Sequence, residues 1–349
     1  MAHGLQSLIA TGTKVWLDSV DPQIVVEARG EGATGATSNP VIISDLIKTG
    51  RFDDRIAALV AAGKDDATIA WTLTDELVRH AQGEFLDIWK RTLSDDGWVS
   101  FELDPLLEDS AAGLSRAEQV ARYIDLGKAW SAGETNRMIK VPATPAGIAA
   151  LEPLAAAGVP LNVTLIFTMP QYILARDAIW RGARTRSSLS GFKSVYSVFI
   201  SRIDVYTQQH LPGLSTAAQG MLGIVNAKRI WAENRAFWQA HATPLEQEIV
   251  FASTGVKQPE LDPCTYVAAL AGDGIQTNPP ATTRAANDPQ RTFSRHLDQL
   301  PPAAVLEELD AKVDMAHLEE VLMREGVEKF VAPQRALLAL IASHRAGRA

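Results

Sequence analysis

The chain reads as an α/β protein built on a (β/α)8 TIM barrel, with additional helices that include a C-terminal helical appendage. Three observations carry that reading. Eight short apolar or β-branched runs alternate with longer helical patterns, the mark of βαβ units and a parallel sheet. Several runs, among them NVTLIF, SVYSVFI and EIVFA, are nearly continuous in apolar character, as strands covered on both faces must be. Beyond position 279 the pattern turns wholly helical.

The expected elements follow in chain order. Strands are expected at 14–20, 36–41, 98–104, 137–143, 161–167, 194–203, 248–254 and 273–279. Helices are expected at 22–29, 115–130, 168–183, 216–240 and 259–271. The stretch 66–93 exceeds what one crossover needs and reads as an extra pair of helices. The step after the fourth strand carries its own punctuation: Thr144 can cap, Pro145 takes the first helical position and Gly158 can close the end. Near the C-terminus, apolar repeats recur in AAVLEELDAKVDMAHLEEVLMREG and VEKFVAPQRALLALIASHRAG, read as helices on the outside of the barrel. No linker long enough to divide domains precedes them. Residues 1–285 are therefore read as the catalytic barrel and 286–349 as helices packed on it.

A length of 349 residues accommodates this plan, since such barrels alone commonly reach about 250. A net charge of −8 and a pI near 5.4 argue against general nucleic-acid or membrane-surface binding, while leaving room for a local basic pocket. The single cysteine, Cys264, excludes an intrachain disulfide, and without a Cys cluster or paired His spacing no metal is expected. The N-terminal MAHGLQSLIATGTKVW lacks the features of a secretory signal, and no apolar stretch reaches the length of a membrane span. A cytoplasmic protein acting on a metabolite, as monomer or homodimer, is the expectation. One motif is a decoy. Gly30-Glu31-Gly32-Ala33-Thr34-Gly35 fits the GxGxxG fingerprint, but a helical stretch precedes it and a strand follows, the reverse of what a dinucleotide site requires.

In an α/β barrel the catalytic groups project inward near the C-terminal ends of several strands. A buried polar atom without a partner costs about 1 to 3 kcal/mol, so strand interiors stay apolar unless a network or ligand satisfies them. Six of the expected strands nonetheless carry polar groups: Asp18, Asn39, Glu102, Lys140, Asn162 with Thr164, and Ser197. Lys140, in RMIKVPA, alternates with Ile139 and Val141 and so faces the interior. Burial there disfavours the charged ammonium, and a neutral amine is the form that attacks a carbonyl. Asn162 and Thr164 share one face of LNVTLIF and suit hydroxyl recognition and water positioning. Glu102, in SFELDP, is a candidate acid or acceptor beside that water, with an ion pair to Arg137 as its plain alternative. Asp18, in WLDSV, is a candidate general base, with capping of the helix near Asp21 as its alternative. Phosphate recognition needs positive charge with hydroxyl or backbone donors, which Arg202 at the end of the sixth strand and Ser253 and Lys257 after the seventh can supply.

These residues resemble the transaldolase family. Lys140 in NRMIKVPAT is similar to its Schiff-base motif, Thr37-Ser38-Asn39-Pro40 to its second-strand motif, and the run from Asn162 to Phe167 to its fifth-strand motif. The resemblance implies a barrel with the reactive lysine on the fourth strand, from about Trp16 to Pro279. It implies proton transfer by Asp18 and a water held by Glu102 and Thr164. Asn39 and Asn162 would bind the retained dihydroxyacetone unit, and Ser197, Arg202 and Ser253 a phosphate. Glu102 and Phe199 match transaldolases, whereas the related fructose 6-phosphate aldolases have glutamine and tyrosine there. One departure stands out: some members place an arginine two residues after the serine matching Ser253, where this chain has Gly255, and its nearest cation is Lys257.

The implied reaction is transfer of a dihydroxyacetone unit from a ketose phosphate, fructose 6-phosphate or sedoheptulose 7-phosphate, to an aldose phosphate, with no cofactor because the protonated imine is the electron sink. Its rivals are an aldolase releasing free dihydroxyacetone, an oxidoreductase using the Gly30–Gly35 motif, and a non-catalytic binding protein.

Overall fold

The computed structural model describes residues 3–346. Eight strands, β1 (Lys14–Leu17), β2 (Gly35–Thr37), β3 (Val99–Glu102), β4 (Arg137–Pro142), β5 (Leu161–Ile166), β6 (Ser194–Phe199), β7 (Glu248–Ala252) and β8 (Ile275–Asn278), close into a barrel in sequence order. Every neighbouring pair is parallel, including β1 with β8.

The two-residue period of a strand stacks the interior in layers. Trp16, Trp98, Met138, Val195, Val250 and Ile275 form an apolar layer at the N-terminal end. Two residues past Trp98 and Val195, a polar rung follows: Asn162 donates Nδ2 to Ser100 Oγ at 2.8 Å and accepts from Ser197 Oγ at 2.7 Å. The same step of two then places Asp18, Glu102, Lys140, Thr164 and Phe199 at the C-terminal mouth. The intervening positions, such as Ile139, Val141, Val163, Tyr196, Val198 and Ile249, face outward into the main core beneath the surrounding helices.

Several expected boundaries move, each for a local reason. The second strand stops at Thr37 because Asn39 is a helix N-cap, accepting from Ile42 N at 3.1 Å, and Pro40 opens the helix Pro40–Lys48. The sixth strand ends at Phe199, and the helix Ser201–His210 begins where Ser201 N donates to Ser253 O at 3.0 Å. Arg202 thus lies in the first turn of a helix and not at a strand end. The stretch expected to hold two helices is one continuous helix, Asp66–Arg91, and the other extra helix, Asp53–Ala61, precedes it. The glycine cluster is an ordinary turn: Gly32 ends the helix Pro22–Glu31 at φ 110°. Gly35 then starts β2 where a Cβ would lie 2.6 Å from Trp98 O.

The C-terminal region departs most from expectation. The division falls between the helices Ala303–Lys312 and Met315–Ala346, and the second runs through Gly326 and Pro333 without a break. This long helix does not stay on the outer wall. It contacts the helix Pro40–Lys48, the turn Pro105–Glu108 and the helix Ser201–His210, all of which follow strand C-terminal ends, so it lies across the mouth. Its Leu318, Val321, Leu322 and Phe330 bury against Leu165, Phe167 and Phe199. Gly326 permits the approach, since a Cβ there would meet Leu165 Cδ2 at 3.1 Å and Arg202 Nη1 at 3.5 Å.

Candidate active site

Lys140 sits on β4 between its register partners, Glu102 of β3 and Asn162 of β5. It is 5% exposed, and Nζ donates to Glu102 Oε2 at 3.1 Å and to Ser38 O at 3.0 Å. Glu102 therefore pairs with Lys140. Its alternative partner Arg137 is held instead by Asp75 at 2.6 Å and by Gln82. Burial pushes the Glu102 carboxyl above the ordinary carboxylate range, and the Lys140 ammonium opposes that shift.

Asp18 stands just past the end of β1. Its Oδ1 accepts from Thr37 Oγ1 at 3.0 Å and from Asn39 Nδ2 at 3.5 Å, and Thr37 Oγ1 in turn lies 3.0 Å from Thr277 Oγ1. Capping of the helix at 22 falls to Asp21, through Gln23 N at 2.9 Å, which leaves Asp18 free of that duty. Burial raises the Asp18 carboxyl as well, against the pull of Lys140, Thr37, Lys257 and Arg202.

A cavity of about 380 Å³ joins these groups. Asp18, Asn39, Lys140, Thr164, Ser197, Phe199, Arg202, Ser253 and Lys257 all line it, so nine expected site residues meet in one space. Glu102 lies behind Lys140, beside a small void under Phe330. Asn162 is beneath the floor, wholly buried in its rung with Ser100 and Ser197. Thr164 Oγ1 is buried without a protein partner, an atom that a ligand or water would satisfy. The backbone aims it: β5 shifts register between Val163 and Ile166, and Leu165 takes φ +57°, a conformation costing a non-glycine residue about 1 to 3 kcal/mol.

The other end of the cavity is cationic. The Arg202 guanidinium lies 5.0 Å over the Phe199 ring, and its buried Nη1 has no partner. Burial lowers the pKa of Arg202, and the pKa of Lys257, on the exposed rim, is lowered by partial desolvation and by the positive charges of Arg202 and Lys329. Ser253, at φ +55°, has its Oγ 2.9 Å from Ser201 Oγ. Two cations beside two hydroxyls make this end of the cavity suited to an anion.

Sequence reasoning missed Ser38 O, Thr277, Phe330 and the bond from Thr37 to Asp18. Thr37 and Ser38 lay within a motif already singled out. Phe330 carried no signal, being one apolar residue in an amphipathic helix far along the chain. At the opposite end of the barrel, Asp95, Glu246 and Glu248 form the one acidic trio with metal-like spacing among the described residues. Lys14, 2.8 Å from Glu248, and Lys193, 2.7 Å from it, already neutralise that cluster.

Residues 15–341 match the family model described as transaldolase/fructose-6-phosphate aldolase. The chain is 32% identical to a transaldolase of Thermobifida fusca, covering 99% of each. It is 31% identical to transaldolase 1 of Streptomyces coelicolor, covering 97% of this chain and 94% of that one. With a transaldolase of Mycobacterium leprae it shares 32% identity over 96% of this chain and 94% of the other.

Proposed function

We propose that this chain, which belongs to the transaldolase/fructose-6-phosphate aldolase family, is a transaldolase that carries a dihydroxyacetone unit on Lys140 between sugar phosphates. The observation that supports this most is one buried amine held 3.1 Å from Glu102 in the same mouth as Asp18 and a cationic pocket.

The mechanism follows from those positions. Lys140 passes a proton to Glu102, and the neutral amine adds to the ketose carbonyl. Glu102 returns the proton to the departing hydroxyl, and Thr164 Oγ1 holds the water that forms. Asp18 takes the C4 hydroxyl proton, the C3–C4 bond breaks, and its electrons pass into the protonated imine to give an enamine. Asn39 binds the hydroxyls of the retained unit, while Asn162 fixes Ser197 from below. The phosphate of the departing aldose rests on Arg202, Ser253 and Lys257. An acceptor aldose phosphate then enters, and the steps reverse. The chemistry requires no metal or organic cofactor, because the imine is the electron sink.

Glu102 and Phe199, the residue types of transaldolases at these positions, favour transfer over simple aldol cleavage. Sugar phosphates as substrates suit a cytoplasmic enzyme, and among the described residues no helix is long and apolar enough to cross a membrane. The test is acceptor dependence. With fructose 6-phosphate and erythrose 4-phosphate, sedoheptulose 7-phosphate and glyceraldehyde 3-phosphate should form together. Free dihydroxyacetone produced at a matching rate without acceptor would make the chain an aldolase instead.

A further inference from the structure

Phe330 reaches the active site from an element that follows the barrel, and nothing in the reaction as written uses it. It is 6% exposed and lines both the substrate cavity and the small void beside Glu102. Its ring centroid lies 5.7 Å from Lys140 Nζ and 5.9 Å from the Arg202 guanidinium carbon. Gly326, one turn earlier, seats this part of the helix directly on Leu165 and Arg202. The ring therefore forms the ceiling over the amine, opposite the floor made by the strands.

Resting on the transaldolase reading, we propose that Phe330 is a positioning residue that roofs the three-carbon unit on Lys140, favouring its transfer to an aldose phosphate over its release as free dihydroxyacetone. Both fates start from the enamine and from Asp18 in its protonated form. In transfer, the enamine carbon forms a bond to the acceptor aldehyde carbon, and the aldehyde oxygen takes the Asp18 proton. In release, the same carbon takes that proton through an intervening water, which gives one proton to carbon and receives one from Asp18. Each path then consumes one water at the iminium carbon and returns the Lys140 amine. The two differ in whether a water can bridge Asp18 to the carbon. An aromatic face at the ceiling carries no proton donor and occupies space where such a water would stand. The water needed for hydrolysis is the one held by Glu102 and Thr164, at the strand ends under the ring. The ring face also favours the cationic iminium, an attraction that an aliphatic side chain lacks.

The test uses the full chain with Phe330→Leu and Phe330→Ala. Dihydroxyacetone released and sedoheptulose 7-phosphate formed are measured in one reaction from fructose 6-phosphate and erythrose 4-phosphate. Their ratio is a property of each turnover and does not depend on how much enzyme is folded. The expected result is a ratio raised roughly tenfold in Phe330→Ala, and by less in Phe330→Leu, with the borohydride-trapped adduct on Lys140 still forming. A ratio within about twofold of the parent, in either variant that forms the adduct, overturns the proposal. Loss of the adduct in both variants with helical content intact overturns it too, since the ring would then be required for Schiff-base formation itself. Absence of an adduct in the unsubstituted chain is a different failure, and defeats the transaldolase reading.

Discussion

In the proposed reaction Asp18 must be ionised to take the substrate proton, yet burial raises its pKa, and the hydrogen bond from Thr37 Oγ1 at 3.0 Å is among the interactions that pull it back. A base with a raised pKa loses function as pH falls through that value, so the acid limb of kcat/KM should lie above the ordinary carboxylate range. Thr37→Val removes a donor to the charged form, raises the pKa further and should move that limb to higher pH. A pH–rate profile checks this, and an unmoved limb would assign it to another group. Lys257 poses a second question at this scale, since it is a point charge at the rim where Gly255 supplies no side chain. Lys257→Met should raise KM for sugar phosphates by roughly tenfold at low salt with a smaller change in kcat, and the difference should shrink as salt screens the exposed charge. Equal KM values at low salt would remove Lys257 from the phosphate site.

Helix placement decides whether these residues meet. The helix Pro145–Ala156 packs so closely on the end of β4 that a Cβ at Gly147 would lie 2.0 Å from Pro142 O. Gly147→Ala should therefore destabilise the fold by about 3 kcal/mol, read as a lowered denaturant midpoint, because backbone must shift to admit the methyl. An unchanged midpoint would mean that this helix end yields freely. The elements bearing Lys140, Asn162 and Thr164 were legible because β4 and β5 are six residues each, apolar on their outward face and bounded by clear turn signals. The ends of β2 and β6 were not. The apolar Val41 beyond Asn39-Pro40 extends the apparent strand although Asn39 caps a helix, and Ile200 and Ile203 flank Ser201-Arg202 so as to pass for strand although backbone bonding to Ser253 starts a helix. Phe330 was illegible for a different reason: an amphipathic helix announces that it has an apolar face, but not which end of a barrel that face will cover.

Across the molecule, polar groups divide between the two ends of the barrel. Lys14, Lys193, Asp95 and Glu248 close the N-terminal end as mutual ion pairs, while the C-terminal mouth keeps Arg202 Nη1 and Thr164 Oγ1 unpaired for a ligand. Asp204 is buried in the helix Ser201–His210, accepts from Gly223 N at 3.2 Å, and is pushed up to about 7 by desolvation. A carboxyl raised in the folded state contributes stability that is fully present at acid pH and is lost as pH rises from its unfolded value towards 7, with no further loss beyond. Asp204→Asn should flatten that slope in chemical denaturation series from pH 5 to 8, and a parallel slope in both proteins would contradict the assignment. The central claim is that Lys140 becomes covalently joined to the substrate ketone. Borohydride reduction with fructose 6-phosphate, followed by peptide mass mapping, tests it most directly. The expected result is a reduced three-carbon adduct on the peptide containing Lys140, and an adduct on any other lysine, or none, would contradict it.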